Sequence, residues 1–220
     1  MLDLTFEEYM IKIILPAFRD TFTILFYATS VALVLGTALA IILAITNENG
    51  LHPCKPVYKV LDFITNTVRS FPFVILVVTV IPFTRWLMGT SIGIPGAVVP
   101  LIIGMTPFVG RLIENCLMEV DKQVIEAARS FGASDFDIIF RVMLVEAVPG
   151  ISNSIVFTVI QALGATAQAG MVGAGGLGTV AIRYGYNNFN DVIMYSTVLI
   201  LLVLVQAIQL GGRYIYKKLK

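Results

Sequence analysis

Residues 111–141 read RLIENCLMEVDKQVIEAARSFGASDFDIIFR and lie between two long apolar stretches. The chain has 15 lysines and arginines and 14 aspartates and glutamates, and ten of these fall in this segment: Arg111, Glu114, Glu119, Asp121, Lys122, Glu126, Arg129, Asp135, Asp137 and Arg141. A charge at the centre of a bilayer costs about 2.5–3.5 kcal/mol on insertion scales. The segment, which we call the island, therefore stands outside the membrane and separates spans on either side.

The composition of the whole chain is that of an integral membrane protein. Of its 220 residues, 57% are hydrophobic and 13% are charged, against about 45–50% and about 25% in soluble domains. A net charge of +1 and the lack of a basic, aromatic-interleaved tract argue against a nucleic-acid partner. The distant Cys54 and Cys116 predict neither a disulfide framework nor a metal site. The acidic N-terminal stretch MLDLTFEEYM does not fit a cleaved signal peptide.

Apolar stretches long enough to cross a membrane occur five times. A spanning helix needs about 20 such residues. The predicted spans cover residues 21–47, 62–84, 90–112, 147–169 and 191–213. We therefore expect an all-α membrane protein, a single transmembrane domain over residues 1–220, with a polar helix-turn-helix connection at 113–145 between the third and fourth spans.

The distribution of positive residues predicts the orientation, because cytoplasmic connections keep lysine and arginine. With the N-terminus outside, ten lie on the inner side: Lys55, Lys59, Arg111, Lys122, Arg129, Arg141, Arg213, Lys217, Lys218 and Lys220. Only four lie outside: Lys12, Arg19, Arg85 and Arg183. Arg69 lies near the start of the second span and is counted on neither side. We expect the N-terminus outside, the C-terminus inside and the island in the cytoplasm.

Two short helices joined by a glycine turn are predicted within the island. In the first, over 121–131, Asp121 fits the N-cap and Gly132 fits the C′ position, where positive φ is needed. In the second, over 135–145, Ser134 and Asp137 resemble a capping box with aspartate in place of the usual glutamate.

The alanines of the first island helix leave one face with little side-chain bulk. A partner could approach that face closely, with Glu126 and Arg129 offering charged contacts at its rim. An ordinary solvated loop between spans is equally compatible with the physics of these residues.

The island carries a sequence signature that resembles a known family. The run EAA, three residues, then Gly is made by Glu126, Ala127, Ala128 and Gly132. It is similar to the EAA signature of permease subunits in ATP-binding-cassette (ABC) importers. Further stretches look like the methionine-uptake branch of that family: RSFPFVILVVTVIPFTRWLMGTSIG (Arg69–Gly93), EAVPG (Glu146–Gly150) and GAGGLG followed by IRYGY (Gly173–Tyr186).

The resemblance implies a homodimeric permease in a bacterial inner membrane, surrounded by lipid. Each copy would contact one of two cytoplasmic ATPase subunits through Glu126, Ala127, Ala128, Arg129 and Gly132. An extracytoplasmic binding protein would deliver the solute, L- or D-methionine or another small amino-acid-like solute. One departure is Val145, which stands where the family commonly has proline. Without that proline, the second island helix can run more smoothly into its span.

A glycine-rich loop follows the fourth span and allows three interpretations. Gly173, Gly175, Gly176 and Gly178 include the spacing G-x-G-x-x-G. As a dinucleotide fingerprint the spacing needs a preceding strand within a βαβ unit. A selectivity filter is a second possibility, since irregular backbone is tolerated where it lines a cavity. The resemblance favours the third, a close-packed outer loop that shapes the external mouth of the pathway.

Polar residues in the fourth span predict either helix–helix hydrogen bonds or a translocation path. Asn153, Gln161 and Gln168 are spaced by eight and seven residues and lie near one helical face. Hydrogen bonds between membrane helices contribute about 0.6 kcal/mol each. A path for a polar zwitterion needs donors and acceptors of the same kind.

Enzyme chemistry finds little support in the sequence. No Walker A sequence, HExxH motif or nucleophile elbow occurs, and the single histidine, His52, precedes Pro53 in a polar connection. We therefore predict ATP hydrolysis on another chain and no cofactor here. A secondary carrier would normally have ionisable residues deep in its spans, which are almost lacking, and a channel would need no ATPase.

Overall fold

The computed structural model describes residues 6–219, most of which are helical and none of which form a strand. The all-α prediction is therefore confirmed. The first five residues of the acidic N-terminal stretch, and Lys220 among the inner positive residues, lie outside the described residues.

The helices differ greatly in length. In chain order they are α1 Phe6–Tyr9, α2 Leu15–Thr46, α3 Lys55–Ser70, α4 Phe73–Thr79, α5 Ile81–Met88, α6 Ile94–Met118, α7 Lys122–Ser130, α8 Asp135–Asp137, α9 Leu144–Glu146, α10 Val148–Gly170, α11 Gly176–Val180 and α12 Asp191–Leu219. Three short stretches are π-helical: π1 Met10–Ile14, π2 Ile138–Met143 and π3 Ala181–Tyr186.

Four helical segments are long and apolar enough to cross a membrane. They are Glu7–Thr46, Ile94–Met118, Val148–Gly170 and Asp191–Leu219. Helices α3 and α4 pass the same test only as a pair, and they are bent by 103° at the break between them. Counted as one span, this pair brings the number to five, in agreement with the sequence.

The predicted span at 62–84 falls on α3, α4 and α5 rather than on one helix. Proline explains the first break, because Pro72 has no N–H to continue the helix and disfavours helical backbone at Phe71. Pro72 instead stands at the N-cap of α4, with ψ of 125°. The other four predicted spans overlap α2, α6, α10 and α12.

The described residues form two compact units. The first contains the described residues up to Val31, with Phe71–Gly104 and Val159–Gln209, and its core includes Ile14, Ala17, Leu177, Val180 and Ile193. The second contains Ala32–Ser70, Met105–Thr158 and the described residues from Leu210, and its core comprises Ala40, Ala44, Val109, Ile113, Leu117, Ile138, Met143 and Ala147.

Small residues allow the helices of the second unit to approach closely. A Cβ added to Gly36 of α2 would lie 2.6 Å from Cβ of Val109 on α6. Such contacts are common between membrane helices, where packing rather than the hydrophobic effect drives association.

The turn that follows π3 contains an exposed aromatic residue with unusual backbone. Phe189 is the one non-glycine among the described residues with positive φ, 50°, and its side chain is 90% exposed. The N–H groups of Phe189 and Asn190 donate to the carbonyls of Tyr186 and Gly185 at 3.2 and 2.9 Å. These are the hydrogen bonds of a Schellman-type helix end, where glycine or asparagine is usual.

Replacing Phe189 by asparagine should therefore raise stability by about 1 kcal/mol, because asparagine tolerates left-handed backbone and little packing is lost. Thermal unfolding of the purified protein in detergent would measure this. Tyr186→Asn is the matched control, since it removes an exposed aromatic ring from ordinary backbone and should give no gain. A lower unfolding midpoint for Phe189→Asn would contradict the assignment of strain.

Candidate functional site at the island

Helix α7 has both ends fixed by the residues that the sequence places there. The Asp121 carboxylate accepts a hydrogen bond from the Gln123 N–H at 2.8 Å, which satisfies one of the free amides of the first turn. At the other end Gly132 has a φ of 82°. Its N–H and that of the next residue donate to the carbonyls of Arg129 and Ala128, at 3.0 and 3.1 Å, in the Schellman pattern.

The second island helix is short and irregular. Its N-cap is Ser134, whose hydroxyl accepts from the Asp137 N–H at 3.2 Å and donates to the Asp137 carboxylate. The Ser134 hydroxyl bond also holds the pKa of the Asp137 carboxyl below its usual range. Residues 135–145, predicted as one helix, fall on α8, π2 and α9. Val145 lies in α9, is 57% exposed, and is separated from α10 by a turn at Ala147.

The two alanines of the signature point in different directions. Ala128 is partly buried and packs, together with Ile125, against the core of the second unit. Ala127 is exposed, as is Val124, one helical turn earlier. The outward face of α7 therefore has one alanine, and the other anchors the helix to its own protein.

Three exposed aromatic side chains follow α7 in the island. Phe131 is 91% exposed directly before the glycine turn, and Phe136 and Phe140 are 63% and 44% exposed. The rings of Phe136 and Phe140 are 4.5 Å apart. We call Val124, Ala127, Phe131, Phe136 and Phe140 the docking patch. Exposed apolar clusters of this kind mark interaction sites.

Glu126 and Arg129 are exposed but line a cavity of about 160 Å³ against the connection at 49–51 and the end of α6. Arg129 Nη2 also lies 3.5 Å from Asp135 Oδ1. The other Asp135 oxygen is 2.7 Å from His52 Nε2. The two charges of the signature thus face their own protein as well as any partner.

The His52 contact was not predicted, because 83 residues separate it from Asp135. The hydrogen bond with His52, helped by the charge of Arg129, holds the pKa of the Asp135 carboxyl below its usual range. Because the pKa of the Asp135 carboxyl is lowered, this carboxylate loses its contacts at a lower pH than an ordinary aspartate would. The connection after α2 is therefore tied to the start of the second island helix under ordinary conditions.

A second polar cluster joins α3 to α6. The Arg111 guanidinium pairs with the carboxylates of Asp62 and Glu114, the latter at 2.8 Å. The Tyr58 hydroxyl donates to the second oxygen of Glu114 at 3.1 Å, and Arg111 lies 3.4 Å from Oδ1 of Asn66. Glu114 is only 2% exposed. These five residues form the Arg111 cluster, which is held by charge-assisted hydrogen bonds.

Sequence reasoning placed Arg111 and Glu114 in the solvated island. Both in fact lie within α6, which continues to Met118. A usable signal was present: the two residues are three apart on one helical face, and Asp62 stands in a predicted span without an obvious partner. The α3 residues are 45–53 positions from Arg111, so no local rule joins them to it.

The glycine loop is tightly packed within the first unit. Gly173, Gly175 and Gly176 have φ of 82°, 85° and 76°. A Cβ on Gly178 would lie 2.3 Å from Cα of Ala167. The buried Thr21 hydroxyl accepts from the N–H of Leu177, within the loop region, at 2.9 Å. No strand precedes this loop in the described part of the chain, so the dinucleotide interpretation lacks its βαβ unit.

The structure leaves the three amide residues of α10 exposed. Asn153, Gln161 and Gln168 are all exposed, and so is Gly164 between them, beside which a Cβ would meet nothing within 4 Å. None of the three amide side chains is hydrogen-bonded to another described residue. We call them the polar stripe. Facing lipid, such groups would be left unsatisfied, which is costly.

Comparison with known proteins identifies the class. A family model described as the binding-protein-dependent transport system inner membrane component matches residues 36–220. The chain belongs to this family of inner membrane transport components.

Two relatives show which members of the family this chain resembles. The chain is 44% identical over 200 residues to a probable D-methionine transport system permease protein, MetI, of Vibrio cholerae, covering 91% of this chain and 89% of that one. It is 40% identical over 171 residues to the methionine import system permease protein MetP of Bacillus subtilis, covering 78% and 77%.

Solved structures show the same fold. A chain of the MetNI methionine ABC transporter, in an inward-facing conformation, matches with a TM-score of 0.94 at 37% identity, covering 97% of this chain and 99% of that one. A chain of an amino acid ABC transporter matches at 18% identity with a TM-score of 0.76, covering 93% and 92%, which extends the likeness of fold alone.

Proposed function

We propose that this chain is the membrane-spanning subunit of an ABC importer for methionine, in its L- or D-form, and that ATP is hydrolysed on a separate subunit. The observation that carries the proposal is the likeness to a MetNI chain over 97% of the sequence at a TM-score of 0.94. The names of the MetI and MetP relatives support methionine as the solute. Another small amino-acid-like solute is the alternative.

The ATPase contact is assigned to α7 and the docking patch. This segment is defined by Glu126, Ala127, Ala128, Arg129 and Gly132. Ala128 anchors the helix to its own protein, and Ala127 leaves little side-chain bulk on the outward face. Exposed rings from Phe131 to Phe140 then supply the apolar area that a protein interface needs at its centre. Two copies of the ATPase, one on each permease, would complete the assembly.

A second copy of this chain completes the pathway. The polar stripe of α10 is exposed in one copy, and two such faces across a two-fold axis would enclose a polar path. Asn153, Gln161 and Gln168 would offer donors and acceptors to a zwitterion without a fixed charge to trap it. Rigid-body movement of the two copies would open this path to each side in turn.

The orientation follows from the positive residues and places the N-terminus outside and the C-terminus and island inside. The glycine loop then lies at the outer mouth, where an extracytoplasmic binding protein would deliver the solute. Gly176 and Gly178 favour a rigid rim, because a Cβ there would lie 2.8 Å from Oγ1 of Thr21 and 2.3 Å from Cα of Ala167.

Gentle purification from native membranes tests the assembly. We expect a soluble ATPase in equal amount and two permease copies for each complex, measured by native mass spectrometry. Phe131→Asp, which places a charge in the docking patch, should release the ATPase and leave the permease dimer intact. A permease that purifies alone from gently solubilised membranes, without any ATPase, would contradict the proposal.

The polar stripe gives a further prediction. Gln161→Leu should lower the rate of ATP-driven uptake by about two- to tenfold, because one net hydrogen bond of about 0.5–1.5 kcal/mol is lost along the path. The stimulated ATPase rate should change less. Gln206→Leu is the matched control, since Gln206 is an exposed glutamine of α12 outside the stripe. Equal uptake rates for Gln161→Leu and Gln206→Leu would mean that Gln161 does not line the path.

A further inference from the structure

Arg19 and Asp20 mark the point where helix α2 enters its apolar run. They are the last charged residues before residues 21–47, which carry no charge. Arg19 is exposed and Asp20 is half-buried. Neither makes an ion pair with another described residue, although Lys12, on the same helical segment, is paired with Glu8 at 2.8 Å. A cation and an anion therefore stand together, unneutralised, at the polar boundary of a span.

The face of α2 that carries Arg19 points away from the protein. Leu15, Phe22 and Phe26 are 61%, 47% and 67% exposed and recur with Arg19 at spacings of three and four residues. The opposite face of α2 is buried, with Ala17 and Ile24 7% and 0% exposed. In an inner membrane protein, an exposed apolar stripe on a spanning helix contacts lipid chains, and a cation at its end lies at headgroup level.

A cavity of about 590 Å³ opens at this point, bounded by Arg19 and Asp20 together with Phe18, Thr23 and Ile94. Asp20 Oδ2 lies 3.9 Å from where a Cβ on Gly175 would be, so this carboxylate is close to the glycine loop. Arg19 is the more exposed of the two charged residues. Both line the same cavity, whose other lining residues are mainly apolar.

We propose that this cavity binds the headgroup of a phosphatidylethanolamine. Its phosphate would accept hydrogen bonds from the Arg19 guanidinium, which suits phosphate oxygens. Its primary ammonium would donate to the Asp20 carboxylate, and its acyl chains would run along Phe22 and Phe26. The charge pair is complementary to a zwitterionic headgroup. The apolar stripe that leads away from it favours a lipid over a soluble zwitterion.

The primary ammonium is the distinguishing group. Phosphatidylcholine has the same phosphate but a trimethylated nitrogen with no N–H, so it cannot donate to Asp20. Phosphatidylglycerol has the phosphate without a cation and would use Arg19 alone. A comparison of these three lipids with identical acyl chains therefore separates the roles of Arg19 and Asp20.

The test is lipid titration of the full permease, with its co-purified ATPase, followed by native mass spectrometry. For the native chain, phosphatidylethanolamine should bind about threefold or more tightly than phosphatidylcholine, the scale of an exposed charge contact. Asp20→Asn should remove this preference and keep phosphatidylglycerol binding. Arg19→Gln should weaken all three lipids, Arg19→Lys should restore much of the binding, and Lys12→Gln should change nothing.

Three results would overturn the proposal. The preference could survive in both Arg19→Gln and Asp20→Asn. Arg19→Gln could instead dissociate the permease dimer, which would make this face a contact between copies. Free methionine could displace the bound lipid, which would assign the cavity to a soluble zwitterion.

Discussion

Replacing Gly132 by valine should lower the rate of ATP-driven uptake tenfold or more, while the permease still assembles in the membrane. Gly132 has a φ of 82°, and a β-branched residue there is strained by about 1–3 kcal/mol. A Cβ at this position would meet nothing within 4 Å. The effect therefore comes from backbone conformation. The Schellman hydrogen bonds at the end of α7 would break, and the outward face of the helix would no longer be held in a fixed orientation. Uptake into proteoliposomes that contain the ATPase would measure it.

Gly132→Asn is the matched control for this prediction. Asparagine adds bulk in the same open space but tolerates left-handed backbone, so it should keep most of the uptake. Equal loss in Gly132→Asn and Gly132→Val would mean that space rather than conformation matters. Normal uptake by the valine variant would refute the coupling role of α7.

Arg111→Met should be the most destabilising single substitution among those considered. It leaves the carboxylates of Asp62 and Glu114 without their cation, and Glu114 is 2% exposed. Removing one partner of a buried ion pair costs about 3–5 kcal/mol, because the remaining charge is desolvated and unpaired. We expect a large fall in folded yield and in the thermal midpoint in detergent, measured by fluorescence-detected size exclusion.

Neutralising the whole cluster distinguishes lost pairing from lost packing. The triple variant Arg111→Met, Asp62→Asn, Glu114→Gln removes the stranded charges and should recover much of the stability lost in Arg111→Met alone. Arg111→Lys should lie between the native chain and Arg111→Met, since lysine keeps the charge but not the two-pronged geometry. If the triple variant is no more stable than the single one, the charges are not the cause.

Local rules were sufficient for the helix ends within the island. Asp121, Gly132 and Ser134 could be placed at helix ends from the sequence because caps depend on residues within one turn of each other. Counting apolar stretches likewise predicted an all-helical chain with five spans, and the described residues have four, or five with the bent pair counted as one. Recognition of the family rested on short runs such as GAGGLG, and the later comparisons confirmed it.

Contacts between distant segments were not accessible in the same way. The pairing of Arg111 with Asp62 joins positions 49 apart, and that of His52 with Asp135 joins positions 83 apart. Periodicity and capping rules do not reach across such distances. The division of Ala127 from Ala128 also depended on the tertiary core, because helical spacing alone does not say which side of α7 packs inward.

The measurement that tests the proposed function most directly is methionine uptake into proteoliposomes that contain this permease, its co-purified ATPase and the binding protein, with no ion gradient. We expect uptake only with ATP inside the compartment that holds the ATPase, and none with a non-hydrolysable analogue. Uptake driven by an ion gradient without ATP would indicate a secondary carrier. Passive conduction by the purified chain would indicate a channel, and either result would contradict an ATP-coupled permease.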